Sequence, residues 1–249
     1  MDWKDKVDKL VTSHKNSHLN SDRKELIREA VGNREAIISE SGAIATWTPS
    51  ESTGRSPKDT VVVRRPASEK NIDWDSPNNI AIEEETFDMA MEDGLSLLDE
   101  KEKIFITDRV IGADSAYALP VRLVTDKALT ALFSDNMFRP VPRHIETSCF
   151  YKRPFTLVVL PYDKLESSKY KGRLRELENG RTSNMIVAMD MDRRLGVIIG
   201  SAYNGSVKKL MFTVMNYMLP GEDILPLHCS ANEGKEGDSA LLLGLSGTG

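Results

Sequence analysis

Apolar residues recur at helical spacing from the start of the chain. Trp3, Val7, Leu10 and Val11 share one face, and Leu26, Ile27, Ala30 and Val31 repeat the pattern, so the first 35 residues predict helices. Ser21, shortly before Glu25, marks an N-cap region for the second. Ile37 to Trp47 is richer in β-branched and small residues, and the polar, Gly/Pro-punctuated stretch Thr48 to Asp59 predicts a loop. Strands are expected over Thr60–Arg64, Lys103–Ile111, Ala118–Thr125 and Thr156–Leu160, the last as an unbroken apolar run of the buried type. Phe87, Met91, Leu95 and Leu98 mark a helix, and Ala128 to Phe133 another. Met185–Met191 and Gly196–Ser201 predict a hairpin around Asp190-Met-Asp-Arg-Arg194. Val207, Leu210, Met211, Val214, Met215 and Met218 form the clearest amphipathic helix, closed by Pro220-Gly221. The pattern is that of a mixed α/β protein, with more strand than helix in its second half.

Composition narrows the class without reaching the chemistry. The 249 residues are 40% hydrophobic, 29% charged and 6% aromatic, an ordinary globular mix. No apolar run approaches the roughly 18 residues that span a bilayer, and Met1-Asp-Trp-Lys-Asp-Lys6 lacks an apolar signal core. Lys and Arg total 33 against 38 Asp and Glu, a net charge of −5 that argues against nucleic acid as a partner. Cys149 and Cys229 match no metal spacing and read as reduced thiols of a cytoplasmic protein. The expectation is a cytoplasmic protein with neither membrane nor nucleic-acid partners.

Three segments carry candidate chemistry. Ser239-Ala-Leu-Leu-Leu243 is a short apolar run that leads into Gly244-Leu-Ser-Gly-Thr-Gly249, where Gly244 and Gly249 have the spacing of the phosphate-loop signature G-x-x-x-x-G-K-[ST]. Glycines suit that loop because successive backbone N–H groups must turn toward phosphate oxygens without side chains in the way. Read alone, the hexapeptide fits a terminal tail as well. Tyr203-Asn-Gly-Ser-Val-Lys-Lys209 opens the amphipathic helix and puts Lys208 and Lys209 in its first turn, where the helix dipole opposes their charge. They read either as solvated surface lysines or as part of an anion or metal site, since like-charge pressure lowers a lysine pKa and only a neutral amine ligates. His228 heads His228-Cys-Ser-Ala-Asn232 and fits a structural or a ligand role. In Thr53-Gly-Arg-Ser-Pro-Lys-Asp59, Gly54 and Pro57 set the path around Arg55, whose planar fork matches carboxylate or phosphate, although a salt-bridged surface turn would look the same.

In their order and separations, these segments closely resemble the ATP-dependent phosphoenolpyruvate carboxykinase family. Met215-Asn-Tyr217, Gly237-Asp238, Asn136-Met-Phe138 with Arg139-Pro140, and Gly112-Ala-Asp114 followed by Leu119-Pro-Val-Arg122 are further landmarks, from about Asn33 to Gly249. The resemblance implies an α/β fold: a mixed-sheet N-terminal carboxykinase domain over residues 1–224, then the first strands of a nucleotide-binding domain over 225–249, cut at Gly249. It implies conversion of oxaloacetate and ATP to phosphoenolpyruvate, CO2 and ADP in gluconeogenesis, with ATP, Mn2+ and Mg2+ as cofactors. Arg55 would bind the substrate carboxylate and the departing CO2, and Tyr203 would line the same pocket. Lys209 and His228 would ligate manganese, Lys209 also reaching substrate and the γ-phosphate, while Lys208 adds positive charge. Gly244, Leu245, Ser246, Gly247, Thr248 and Gly249 would begin the ATP phosphate loop, Ser246 facing the substrate. Ser206 departs from the family pattern, standing where bacterial members often have glutamate. The loop lysine, a third metal ligand and another substrate arginine would lie in a missing C-terminal domain, the main protein partner, leaving this fragment inactive alone. The competing reading is a non-catalytic module that binds dicarboxylates or phosphorylated anions through Arg55, Tyr203 and Lys209.

Overall fold

The computed structural model describes residues 2–244. In chain order its regular elements are α1 (Trp3–Ser13), β1 (Ser17–Leu19), α2 (Arg23–Gly32), β2 (Ile37–Ile38), β3 (Ile44–Ala45), β4 (Thr60–Val63), α3 (Pro66–Glu69), β5 (Ile80–Ile82) and α4 (Glu84–Asp99). Then come β6 (Ile104–Ile111), β7 (Leu119–Thr125), α5 (Ala128–Met137), β8 (Phe155–Leu160), β9 (Ile186–Asp190), β10 (Leu195–Ile199), α6 (Gly205–Met218), β11 (Ser230–Glu233) and β12 (Ser239–Leu242). Eight strands form one mixed sheet in the order β1-β6-β7-β8-β10-β9-β4-β5. Within it β6–β7 and β9–β10 are antiparallel and the remaining neighbours are parallel.

Helices cover both faces of this sheet. In β4, Val61 and Val63 pack with Phe87, Met91 and Leu98 of α4, while Val62 turns toward Val207, Leu210 and Val214 of α6. β10 divides likewise, Leu195, Val197 and Ile199 to the α4 side and Ile198 to the α6 side. A strand covered on both faces has no polar alternation, and β8 is buried along its whole length, as its continuous apolar run predicts. α1 extends the α4 layer through Trp3, Val7 and Leu10, and its Trp3 indole N–H donates to Asp88 at 2.8 Å. α2 and α5 close the far side around Phe105.

The register decides where the loops emerge. Thr60 of β4 lies level with Val187 of β9, and Val187 with Ile198 of β10, so β4 begins at the end of the sheet where β10 finishes. The Thr48–Asp59 segment and the Gly200–Asn204 segment therefore share one end. Gly200 makes that exit possible. Its φ is +86°, and the backbone of Asn184, Asp163 and Met185 stands 3.3 Å from where a Cβ would lie, so only glycine takes the turn without strain.

Some elements differ from the sequence reading. The cap of α2 is Asp22, whose carboxylate accepts the Glu25 N–H at 2.8 Å, and not Ser21. β1 and β5 have three residues each, too few to show a period. The Thr48–Asp59 loop holds two 3-10 turns, Ser50–Ser52 and Pro57–Asp59. β12 pairs with β11 in a separate exposed ribbon outside the main sheet. No helix among the described residues is long and apolar enough to cross a membrane.

Candidate functional site

The Arg55 loop is pinned at both ends. At its start the buried Ser52 Oγ accepts the Ala202 N–H at 2.8 Å, tying it to the segment that carries Tyr203. At its end the buried Asp59 carboxylate receives Arg175 through Nε at 3.1 Å and Nη2 at 2.7 Å, and the Ser183 hydroxyl at 2.7 Å. Thr60 Oγ1 also donates to the Ser56 carbonyl at 2.9 Å. Between these anchors Arg55 faces a cavity of about 500 Å3, shared with Asn78, Ser206, Lys209, Phe212 and Thr213. The segment after β10 is held in turn by the Thr130 hydroxyl, which donates to Asn204 Oδ1 at 3.0 Å. The Tyr203 ring lies against Gly205, where a Cβ would approach within 2.2 Å.

α6 begins at Gly205, so Lys208 and Lys209 are its fourth and fifth residues and sit just past the opening N–H groups, not among them. Successive helical residues are rotated by about 100°, and the two amines diverge. Lys209 lines the Arg55 cavity. Lys208 lines an adjoining cavity of about 500 Å3 with Tyr203, Trp47 and Tyr162. The structure thus joins Arg55 with Lys209 but sets Tyr203 with Lys208 next door, where the resemblance implied one pocket.

His228 returns to α6 from the chain beyond it. Its ring packs tilted on Phe212, with centroids 5.3 Å apart, and its Nε2 is 3.3 Å from Lys209 Nζ. The Lys209 amine also lies over the Phe212 ring, 4.9 Å from its centroid. Burial, then the charges of Arg55 and Lys208, hold its pKa below the usual lysine range. Among the described residues none of Arg55, Lys208 and Lys209 has a carboxylate at ion-pair distance, whereas the partly buried Arg65, Arg109, Arg175 and Arg193 each do. No group of three His, Cys, Asp or Glu able to hold a metal occurs among the described residues. The Lys209 and His228 nitrogens fit two positions around one ion, since metal–nitrogen bonds of about 2.0–2.1 Å put neighbouring donors roughly 3 Å apart. Gly244 is exposed just beyond β12, and Leu245, Ser246, Gly247, Thr248 and Gly249 lie outside the described residues.

Several contributors escaped the sequence reading. Asn78 comes from the turn before β5, and Phe212 from the partly polar side of α6. Ser52, Arg175 and Ser183 act only by fixing the loop. Asp59, two residues after Pro57, was in view, but its partners Arg175 and Ser183 lie far along the chain. Ser206 is buried and hydrogen-bonded to Ser201 at 2.8 Å, so it serves the turn that presents α6.

A two-faced mixed sheet that gathers unpaired cations over a cleft at one end is the architecture of an α/β protein suited to anionic ligands. Comparison with known proteins makes this specific. Residues 15–249 match the family described as phosphoenolpyruvate carboxykinase. The chain belongs to that family. It is 35% identical over 250 residues to phosphoenolpyruvate carboxykinase (ATP) of Bacillus pumilus, covering 100% of this chain and 44% of that protein. It is 39% identical to the enzyme of the same name from Chelativorans sp., covering 90% of this chain and 39% of that protein. The corresponding Agrobacterium fabrum protein is 38% identical, with 92% and 40% covered. The chain spans about two fifths of the length of these relatives.

The clamp on Asp59 is testable by unfolding. Asp59→Ala strands a guanidinium and a hydroxyl, and chemical denaturation should show a loss of about 1–3 kcal/mol. Lys58→Ala, one residue away and without such partners, should stay within about 0.5 kcal/mol of the parent. Equal losses at the two positions would remove Asp59 as the anchor.

Proposed function

We propose that this chain supplies the substrate-facing part of an ATP-dependent phosphoenolpyruvate carboxykinase, which converts oxaloacetate and ATP to phosphoenolpyruvate, CO2 and ADP. Residues 1–224 are its N-terminal domain, and 225–249 open the nucleotide-binding domain. The observation that supports this reading most is the cluster of Arg55, Lys208 and Lys209, unpaired among the described residues, with His228 against Lys209. Arg55 takes the substrate carboxylate that leaves as CO2. As the C–C bond breaks, its electron pair becomes the enolate, and positive charge nearby stabilises the oxygen that receives it. That oxygen attacks the γ-phosphorus and ADP departs, a step governed by positioning and charge neutralisation, without a protein base. Lys209 reaches both substrate and γ-phosphate, Lys208 adds to the local potential, and Tyr203 flanks the substrate from the adjoining cavity. Gly244, Leu245, Ser246, Gly247, Thr248 and Gly249 begin the ATP phosphate loop, with Ser246 toward the substrate. Lys209 and His228 hold the divalent ion, Mn2+ or Mg2+, which when bound supplies charge stabilisation to the enolate and phosphoryl oxygens. We place the reaction in the cytoplasm.

A non-catalytic module binding dicarboxylates or phosphorylated anions would use the same cations. Activity separates the two. The 249-residue chain alone should form no ADP dependent on oxaloacetate, whereas a protein of the relatives' full length carrying this sequence should; inactivity of that longer protein would favour the module.

In that longer protein, Arg55→Lys keeps the charge but loses the fork. Its kcat/KM should fall at least about tenfold, near 1.4 kcal/mol, while Lys58→Ala changes little. Comparable losses would detach Arg55 from the substrate.

Manganese titrations followed by electron paramagnetic resonance test the metal pair without reference to turnover. Lys209→Arg should abolish most binding, because a guanidinium stays protonated and cannot ligate. Lys208→Arg should be mild. Affinity of the parent should fall as pH is lowered, the proton competing for the same lone pair. Unaltered binding in both variants would return Lys209 to an ordinary lysine.

A further inference from the structure

The two arginines of the β9–β10 turn have opposite surroundings. Arg193 is neutralised, its Nε 2.7 Å from Asp190 Oδ2 and its Nη1 2.7 Å from Asp88 Oδ1. Arg194 has no carboxylate at ion-pair distance among the described residues. Its Nη1 reaches the Asp192 carbonyl at 3.3 Å, and its buried Nε has no acceptor among the described residues. Such an orphan donor is costly in a half-buried side chain. The backbone adds to the cost, since Arg194 has φ +56°, a left-handed conformation that disfavours a long side chain. Its charge is felt next door. Lys4, whose amine donates to the Pro154 carbonyl at 2.7 Å, has a pKa pushed down to about 8, first by burial and then by Arg194.

Arg194 lines a cavity of about 650 Å3 at the C-terminal end of α6, the opposite end from Lys208 and Lys209. Asn71 and Tyr217 bring neutral polar groups to the same wall, Asn216 lies there with its amide donating to the Phe212 carbonyl at 2.7 Å, and Met191 and Met218 bring apolar surface. The other charges there are Arg153, Glu222 and Asp192. Arg153 and Glu222 satisfy each other at 2.5 Å. Among the described residues Asp192 has no ion-pair partner, and its carboxylate opposes an anion from the rim. A guanidinium in a strained backbone conformation, with no carboxylate partner among the described residues and lining a cavity of ligand size, is arranged for an anion that the protein itself does not provide.

We propose that this cavity is an anion site, in which Arg194 engages the phosphoryl or carboxylate group of a small molecule. It is separate from the Arg55–Lys209 cavity and does not depend on the function assigned to that one. A phosphoryl and a carboxylate group offer the same oxygens to the fork, and titration tells them apart.

The test is a titration of the 249-residue chain with inorganic phosphate or with succinate at constant ionic strength, followed by 15N NMR. The signals to follow are the Arg194 Nε–H and the side-chain amides of Asn71 and Asn216, distinct from those around Arg55 and Lys209. One or both anions should shift these three saturably, the tighter one naming the group bound. Arg194→Gln should weaken binding at least about tenfold, and Asp192→Asn should tighten it about twofold by removing a like charge. Arg194→Gly, which suits φ +56°, guards against a folding failure and should fold at least as stably while losing the response. Shifts reproduced by potassium chloride, no saturable shift, or unchanged binding in the Arg194 variants would overturn the proposal.

Discussion

The architecture depends on burying the central strands from both sides. β8, β9 and β10 carry apolar residues on every face, so α4 must cover one side of the sheet and α6 the other. Nothing polar can act from within that sandwich without losing its hydration. Chemistry is therefore confined to the strand ends. Because β9 lies between β4 and β10, antiparallel to one and parallel to the other, the loop entering β4 and the loop leaving β10 open at the same end. The helix that seals one face also carries Lys208 and Lys209 at that end.

Charge placement follows a matching logic. Where cations serve the fold they are closed off by acids, as Arg65 and Arg193 are on Asp190 and Arg175 is on Asp59. At the sheet end that opens to solvent, Arg55, Lys208 and Lys209 lack such partners among the described residues. Holding like charges together is unfavourable, and after burial the charges of Arg55 and Lys208 add to the lowering of the Lys209 pKa. The rigid anchors at Ser52 and Asp59 supply the stability that keeps Arg55 there. The reaction proposed above has anionic species at every stage.

The type and placement of most long elements are written in the order of the residues. α4, α6, β6, β7 and β8 follow from period and from apolar runs, since both reflect burial that the sheet later demands. The chemical candidates Arg55, Lys209 and His228 were also legible as residues, through the order of their motifs. Their relation to one another arose with the fold. β1 and β5 are too short for any period, and a glycine at 200 says nothing of the backbone packed 3.3 Å from it. Asp59 reads as a surface charge until Arg175 and Ser183 arrive from far along the chain. Lys208 and Lys209, neighbours in sequence, part into two cavities because a helix turns about 100° at each step. Periodicity is a local property that a chain carries in its letters, whereas register and long-range charge pairing exist only once distant segments meet.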